Sequence, residues 1–74
     1  MTLTPRERAI VALLATGRTD SDVSAQLGLS VRTIAYTVSE LMNRVGAQNR
    51  FQLGLVLGAQ GAAEPADDTT EEQA

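Results

Sequence analysis

In the stretch SVRTIAYTVSE, residues 30–40, Arg32, Ala35, Tyr36 and Ser39 stand at three- and four-residue separations. A guanidinium carries five N–H donors in a rigid fork and can grip two acceptors in one plane. The hydroxyls of Tyr36 and Ser39 both donate and accept, while the Ala35 methyl and the tyrosine ring offer apolar contact. None of the four is a nucleophile with a base beside it. The chemistry open to them is recognition of a surface that presents acceptors and methyl groups. An arginine can fork onto the O6 and N7 atoms of guanine, and an alanine or an aromatic edge can meet a thymine methyl. Thr33, Asn43 and Arg44 nearby, with Arg18 and Ser21 upstream, add hydroxyl, amide and cationic groups of the kind that hold phosphates.

Catalysis has little to work with. The chain has no His and no Cys, and all six of its basic residues are Arg. The commonest general base and the commonest metal ligands are therefore missing, and neither a metal nor a cofactor is expected. Asp20 and Asp22 fall at a helix start, where capping and the helix dipole account for them. No glycine-rich phosphate loop follows a strand. An enzyme is not expected.

The net charge of −3 is unevenly spread. Through Gly61, six Arg face four acids (Glu7, Asp20, Asp22 and Glu40), a net of +2. The remainder, AAEPADDTTEEQA, holds five acids and no base. Composition therefore divides the chain into a mildly basic globular part, residues 1–60, and an acidic polar tail, residues 61–74, expected to be disordered and to compete for the basic face. At 74 residues there is room for one domain with a small core, which oligomerisation would help to stabilise. No apolar run is long enough for a membrane span, and the start MTLTPRERAI lacks the basic-then-apolar pattern of a signal peptide. A cytoplasmic protein is expected.

The elements that must position these residues are helices; no two-residue alternation persists. Thr4-Pro5-Arg6-Glu7 fits a capping box with Pro in the first turn, leading into Ile10, Leu13 and Leu14 on one stripe and ending at Gly17. Thr19 or Asp20 caps a second helix, with Val23 and Leu27 inward and Gly28 as its stop. Ser30 caps a third, over about 31–45, that turns Ile34, Val38, Leu41, Met42 and Val45 to one side before Gly46. Asn49 caps a fourth from Arg50 to about Gly58, whose interior Gly54 is read as a place of close backbone approach. The fold class is all-α and tetra-helical. Residues 20–44, a short helix, a glycine turn through Leu29 and a longer capped helix, have the form of a helix-turn-helix, with small Ser24 allowing the two helices to approach.

The spacings resemble the LuxR/GerE-type helix-turn-helix domain. The resemblance rests on Leu3-Thr4-Pro5-Arg6-Glu7, Leu14-Ala15-x-Gly17, Leu27-Gly28-Leu29-Ser30, Thr33-Ile34 and Val45-x-x-x-x-Arg50. It runs without gaps from residue 3 to about 58. It implies a transcriptional regulator whose third helix lies in the major groove of double-stranded DNA and whose last helix pairs two protomers. Most members are output modules fused to a receiver or ligand-sensing domain, and some, such as the spore-coat regulator GerE, stand alone; this chain fits either a stand-alone member or a fragment. The base-contacting set under this resemblance is Arg32, Ala35, Tyr36 and Ser39. The phosphate-contacting set is Thr33, Arg18, Ser21, Asn43 and Arg44.

The chain also departs from the family pattern. Where members carry Thr-Val-Lys-x-His, this chain has Thr33-Ile34-Ala35-Tyr36-Thr37, so the usual Lys is Ala35 and the usual His is Thr37. Ser39 stands where a base is frequent, and Asp20-Ser21 replaces a frequent Asn-Lys, which puts a phosphate-repelling carboxylate at the second helix. Each lost phosphate contact removes roughly one unit from the salt slope of binding. Affinity from one protomer should be weak, and dimerisation must supply the rest.

The fourth helix has apolar residues on two sides. Leu53, Val56 and Leu57 form one cluster, and Phe51 and Leu55 lie roughly opposite. One cluster can face the core and leave the other for a partner, so Phe51, Leu55 and Val56 are the expected homodimer contacts. The rival reading is a degenerate helix-turn-helix that binds protein, such as another regulator or RNA polymerase. A four-helix region of a sigma factor is a third reading, and it fits less well because such regions carry more cations on the third helix.

Overall fold

A computed structural model describes residues 2–61. Within them the chain forms four helices: α1 (Pro5–Ala15), α2 (Asp20–Leu27), α3 (Val31–Val45) and α4 (Arg50–Ala59). The expected acidic tail lies outside the described residues except for Gly61.

Each helix begins where a side chain can satisfy its orphan amides. Thr4 accepts from the Glu7 amide while the Glu7 carboxylate accepts from the Thr4 amide, closing the expected capping box on α1. The choice between Thr19 and Asp20 falls to Thr19, which forms a second capping box with Asp22. Ser30 caps α3 through the Thr33 amide, and Asn49 caps α4 through the Gln52 amide. Gly28 and Gly46 end α2 and α3 in the left-handed conformation, at φ 69° and 77°, where a side chain would be strained.

The core is built from Leu3, Ile10, Val11, Val23, Ile34, Val38, Leu41, Leu53 and Leu57, with Leu13, Leu14, Leu27, Leu29, Met42 and Val45 packed around it. Leu3 and Val11 join it beyond the stripes read from spacing. α3 is the hub: α2 and α4 both pack on it, and α1 closes against α2 and α3. The α2–α3 turn is drawn tight by one serine. The Ser24 carbonyl accepts from the amides of Gly28 and Leu29, and its hydroxyl donates to the Leu29 carbonyl. Ser24 is therefore a fastener of the turn as well as a small residue at a helix contact. Gly54 corrects another expectation. A Cβ built there meets nothing within 4 Å, so among the described residues no backbone of the same protomer approaches it; it sits on the exposed side of α4.

Candidate nucleic-acid interface

The inner face of α3 is fixed by Ile34, Val38 and Leu41, all buried. At about 100° per residue, Arg32, Tyr36, Ser39 and Asn43 then fall on one stripe along the opposite side. All four are exposed, and Tyr36 is 66% so. Ala35 is half-buried at the edge of this stripe, and Val31 is exposed in the first turn, off the stripe and beyond Ala35. Sequence reasoning did not single out Val31, although an apolar residue in the first turn beside Arg32 was the available signal. Thr33 is half-buried, and its hydroxyl accepts from Ser30 at 2.9 Å, within the cap of α3. The stripe is mostly neutral. Arg32 is its cation and has no ion-pair partner among the described residues.

Two other arginines are held within the fold. Arg44 turns toward α1 and grips the Glu7 carboxylate with both terminal nitrogens, at 3.0 and 3.3 Å. This clip ties the end of α3 to the start of α1, and through Glu7 to its capping box. Arg50 grips Asp20 in the same forked way, at 2.6 and 2.7 Å, tying α4 to α2. The carboxylate expected to repel phosphate therefore has a guanidinium against it. The charge-assisted bonds hold both carboxyls below their ordinary range: Glu7 through Arg44 first and the Thr4 amide second, Asp20 through Arg50. Both guanidinium groups are held more firmly protonated in return.

The remaining candidates are spread around the domain. Arg18 follows α1, donates to the Thr16 hydroxyl at 2.6 Å, and lines an open groove of about 230 Å³ with Val11, Leu14, Arg50, Leu53 and Leu57. Ser21 is exposed in the first turn of α2. The structure thus brings Arg32, Ala35, Tyr36, Ser39 and Asn43 together, and sets Arg44, Arg18 and Ser21 on other elements or other sides. The two inter-helix clips were missed by sequence reasoning. Their partners are 37 and 30 residues apart, so no local spacing announces them.

On α4, Leu53 and Leu57 are buried against the core, Val56 is half-buried, and Phe51 and Leu55 stand out at 74% and 58% exposure. Gly54 and Gly58 flank them on the same exposed side. This settles which cluster faces the core. Among the described residues no group of acids could hold a metal, and no helix is long and apolar enough to cross a membrane.

Comparison with known proteins places this arrangement. The chain is 43% identical over 49 residues to the bialaphos biosynthetic pathway regulatory protein of Streptomyces hygroscopicus, a match over 66% of this chain and 19% of that protein. It is 34% identical over 59 residues to the transcriptional regulatory protein YvfU of Bacillus subtilis, covering 80% of this chain and 30% of the relative. It is 33% identical over 55 residues to the two-component response regulator PprB of Pseudomonas aeruginosa, covering 74% of this chain and 20% of the relative. The chain thus spans under a third of the length of each of these relatives. Residues 1–57 match the family described as bacterial regulatory proteins, luxR family. With its four helices, its glycine turn after α2 and its capped α3, the chain belongs to the LuxR/GerE family of helix-turn-helix regulators.

Proposed function

We propose that the chain is a sequence-specific DNA-binding transcriptional regulator that acts as a homodimer, with the outer stripe of α3 in the major groove and the outer face of α4 against its copy. The observation that carries the reading is the exposed stripe of Arg32, Tyr36, Ser39 and Asn43, held on a helix whose opposite side is locked into the core. Arg32 forks onto guanine, Ala35 and Tyr36 meet thymine methyls, and Ser39 bonds either partner. Thr33, Arg18, Ser21, Asn43 and Arg44 remain the phosphate set, with Arg44 exchanging Glu7 for phosphate or leaving that task to the others. Such a protein works where chromosomal DNA lies, in the cytoplasm. No catalysis, cofactor or metal enters.

Phe51 and Leu55, with Val56 at the edge, are the dimer contacts. An exposed aromatic beside an exposed leucine on a helix with no charge on that side is the kind of surface a twofold partner covers. Dimerisation doubles the number of cations brought to one duplex, which a single globule of net +2 needs.

The second reading is a protein-binding module, with another regulator or RNA polymerase as partner. It draws on the two clips, which engage Arg44 and Arg50 with carboxylates of the same chain at its surface. Selection from a random duplex pool separates the two. The DNA reading expects a twofold-symmetric consensus, with half-sites spaced by about one helical turn or a multiple of it. A folded chain that enriches no sequence favours the protein-binding reading.

A further inference from the structure

The outer side of α3 carries one carboxylate that a phosphate-facing helix has reason to avoid. Glu40 is exposed one turn beyond Tyr36. The Tyr36 hydroxyl donates to its Oε2 at 3.2 Å. Arg44, one turn further on, feels the Glu40 charge but has both terminal nitrogens on Glu7, so among the described residues Glu40 makes no salt bridge. A carboxylate has about four acceptor sites, and the tyrosine occupies one. Glu40 therefore presents a pure acceptor, steadied by a neighbour on the recognition stripe.

In a major groove, donors that could satisfy it are few. The phosphates repel it, and guanine and thymine edges offer only acceptors there. The donors are the amino groups of cytosine N4 and adenine N6. Adenine sets the N7 acceptor beside its amino group, so a carboxylate that reaches N6 meets a lone pair at N7. Beside the cytosine amino group stands a C–H edge instead, which does not oppose an anion. We infer that Glu40, oriented by the Tyr36 hydroxyl, is a specificity-determining residue that selects cytosine at one position of each half-site. Tyr36 is then both a groove contact and the positioning residue for this acceptor. The inference rests on the DNA-reading function proposed above.

The test is site selection from a random duplex pool with the full chain, followed by anisotropy titrations of the selected duplex and its single-base variants. The unsubstituted chain is compared with Glu40→Gln, Glu40→Ala and Tyr36→Phe, each checked for helix content by circular dichroism. Glutamine both donates and accepts, matching adenine N7 and N6, so Glu40→Gln is expected to move the preferred base at one position from cytosine to adenine. The expected shift in discrimination there is roughly five- to a hundred-fold, the range of one good base contact. Glu40→Ala is expected to flatten the preference at that position alone, and Tyr36→Phe to weaken it in part. An unchanged cytosine preference in both Glu40 variants overturns the inference. So does equal tightening of both variants on every duplex, which would make Glu40 a repeller of phosphate with no base to read. A selected consensus that never depends on residue 40 sinks this inference and leaves the DNA reading standing. A folded chain that selects no sequence at all sinks both.

Discussion

The outer faces of α3 and α4 are built on the same plan and finished in opposite ways. Each helix buries one side in the shared core, through Ile34, Val38 and Leu41 on α3 and through Leu53 and Leu57 on α4. Beyond that, α3 presents Arg32, Tyr36, Ser39 and Asn43, which can all hydrogen-bond, whereas α4 presents Phe51 and Leu55 beside two glycines, with side chains that cannot. A surface of donors and acceptors suits a partner edged with acceptors. A bare apolar surface suits another apolar surface. The lesson is that burial identifies which residues are free on both helices, and side-chain chemistry then separates the kind of partner each face would accept.

The comparison breaks most visibly on α4. Phe51→Asp with Leu55→Asp should leave a folded, helical monomer, because neither side chain contributes to the core. Operator affinity should fall by about 10²–10⁴-fold as the second half-site ceases to bind within one complex. Sedimentation and operator titration of the double variant check this together. A dimer that survives both changes would move the interface elsewhere.

The α3 side responds to a smaller change. Arg32→Ala should weaken binding to the selected site by about 1–3 kcal/mol and relax one base position, with mixed-sequence duplex much less affected. Equal weakening on every duplex, measured by the same titrations, would make Arg32 a phosphate contact instead of a reader of bases.

A third change sharpens the α4 half. Gly54 lies in a helix interior with open space where its Cβ would be. On a monomeric Leu55→Asp background, Gly54→Ala should raise stability by about 1 kcal/mol in urea unfolding. A loss would show that the exposed side of α4 is covered within the single chain.

The smallest effect is in acid. Glu7 and Asp20 have carboxyls held below the ordinary range by Arg44 and Arg50. The unfolded chain therefore binds more protons through that range. The stability the two clips contribute is whole above ordinary carboxylate pKa values of about 4 and is lost as pH falls through the lower folded values. Both pairs are solvent-screened, so the slope should be shallow. Glu7→Gln with Asp20→Asn should flatten the acid limb of a melting-temperature profile; an unaltered limb would mean the clips contribute nothing to stability.

Much of this was legible in the sequence, for identifiable reasons. Caps and glycine stops are local signals, and Thr4, Ser30 and Asn49 announced their helices while Gly28 and Gly46 announced the ends. The apolar period of α3 fixed its inner face, and the resemblance pointed to Arg32, Tyr36 and Ser39 on the outer one, with Asn43 read for phosphate and Ala35 only at the edge. What spacing could not give was long-range pairing. The Glu7–Arg44 and Asp20–Arg50 clips join residues brought together only by the packing of α1 on α3 and of α4 near α2. The two-sided apolar pattern of α4 likewise left open which cluster faced inward. A helical glycine is compatible with close approach, and only the packed neighbours reveal that none of the described residues of the same protomer approaches Gly54. The Tyr36–Glu40 pair was within reach of local reasoning, since residues four apart on a helix are neighbours.

Fluorescence anisotropy of the full chain against a mixed-sequence duplex, at low and at moderate salt, tests whether the outer side of α3 is a working DNA face. Binding should weaken steeply as salt rises, the signature of counterions released from phosphates. No binding at concentrations of roughly tens of micromolar, well inside the usual range for non-specific DNA affinity, from a chain shown to be helical and folded, would contradict it and turn the search to a protein partner.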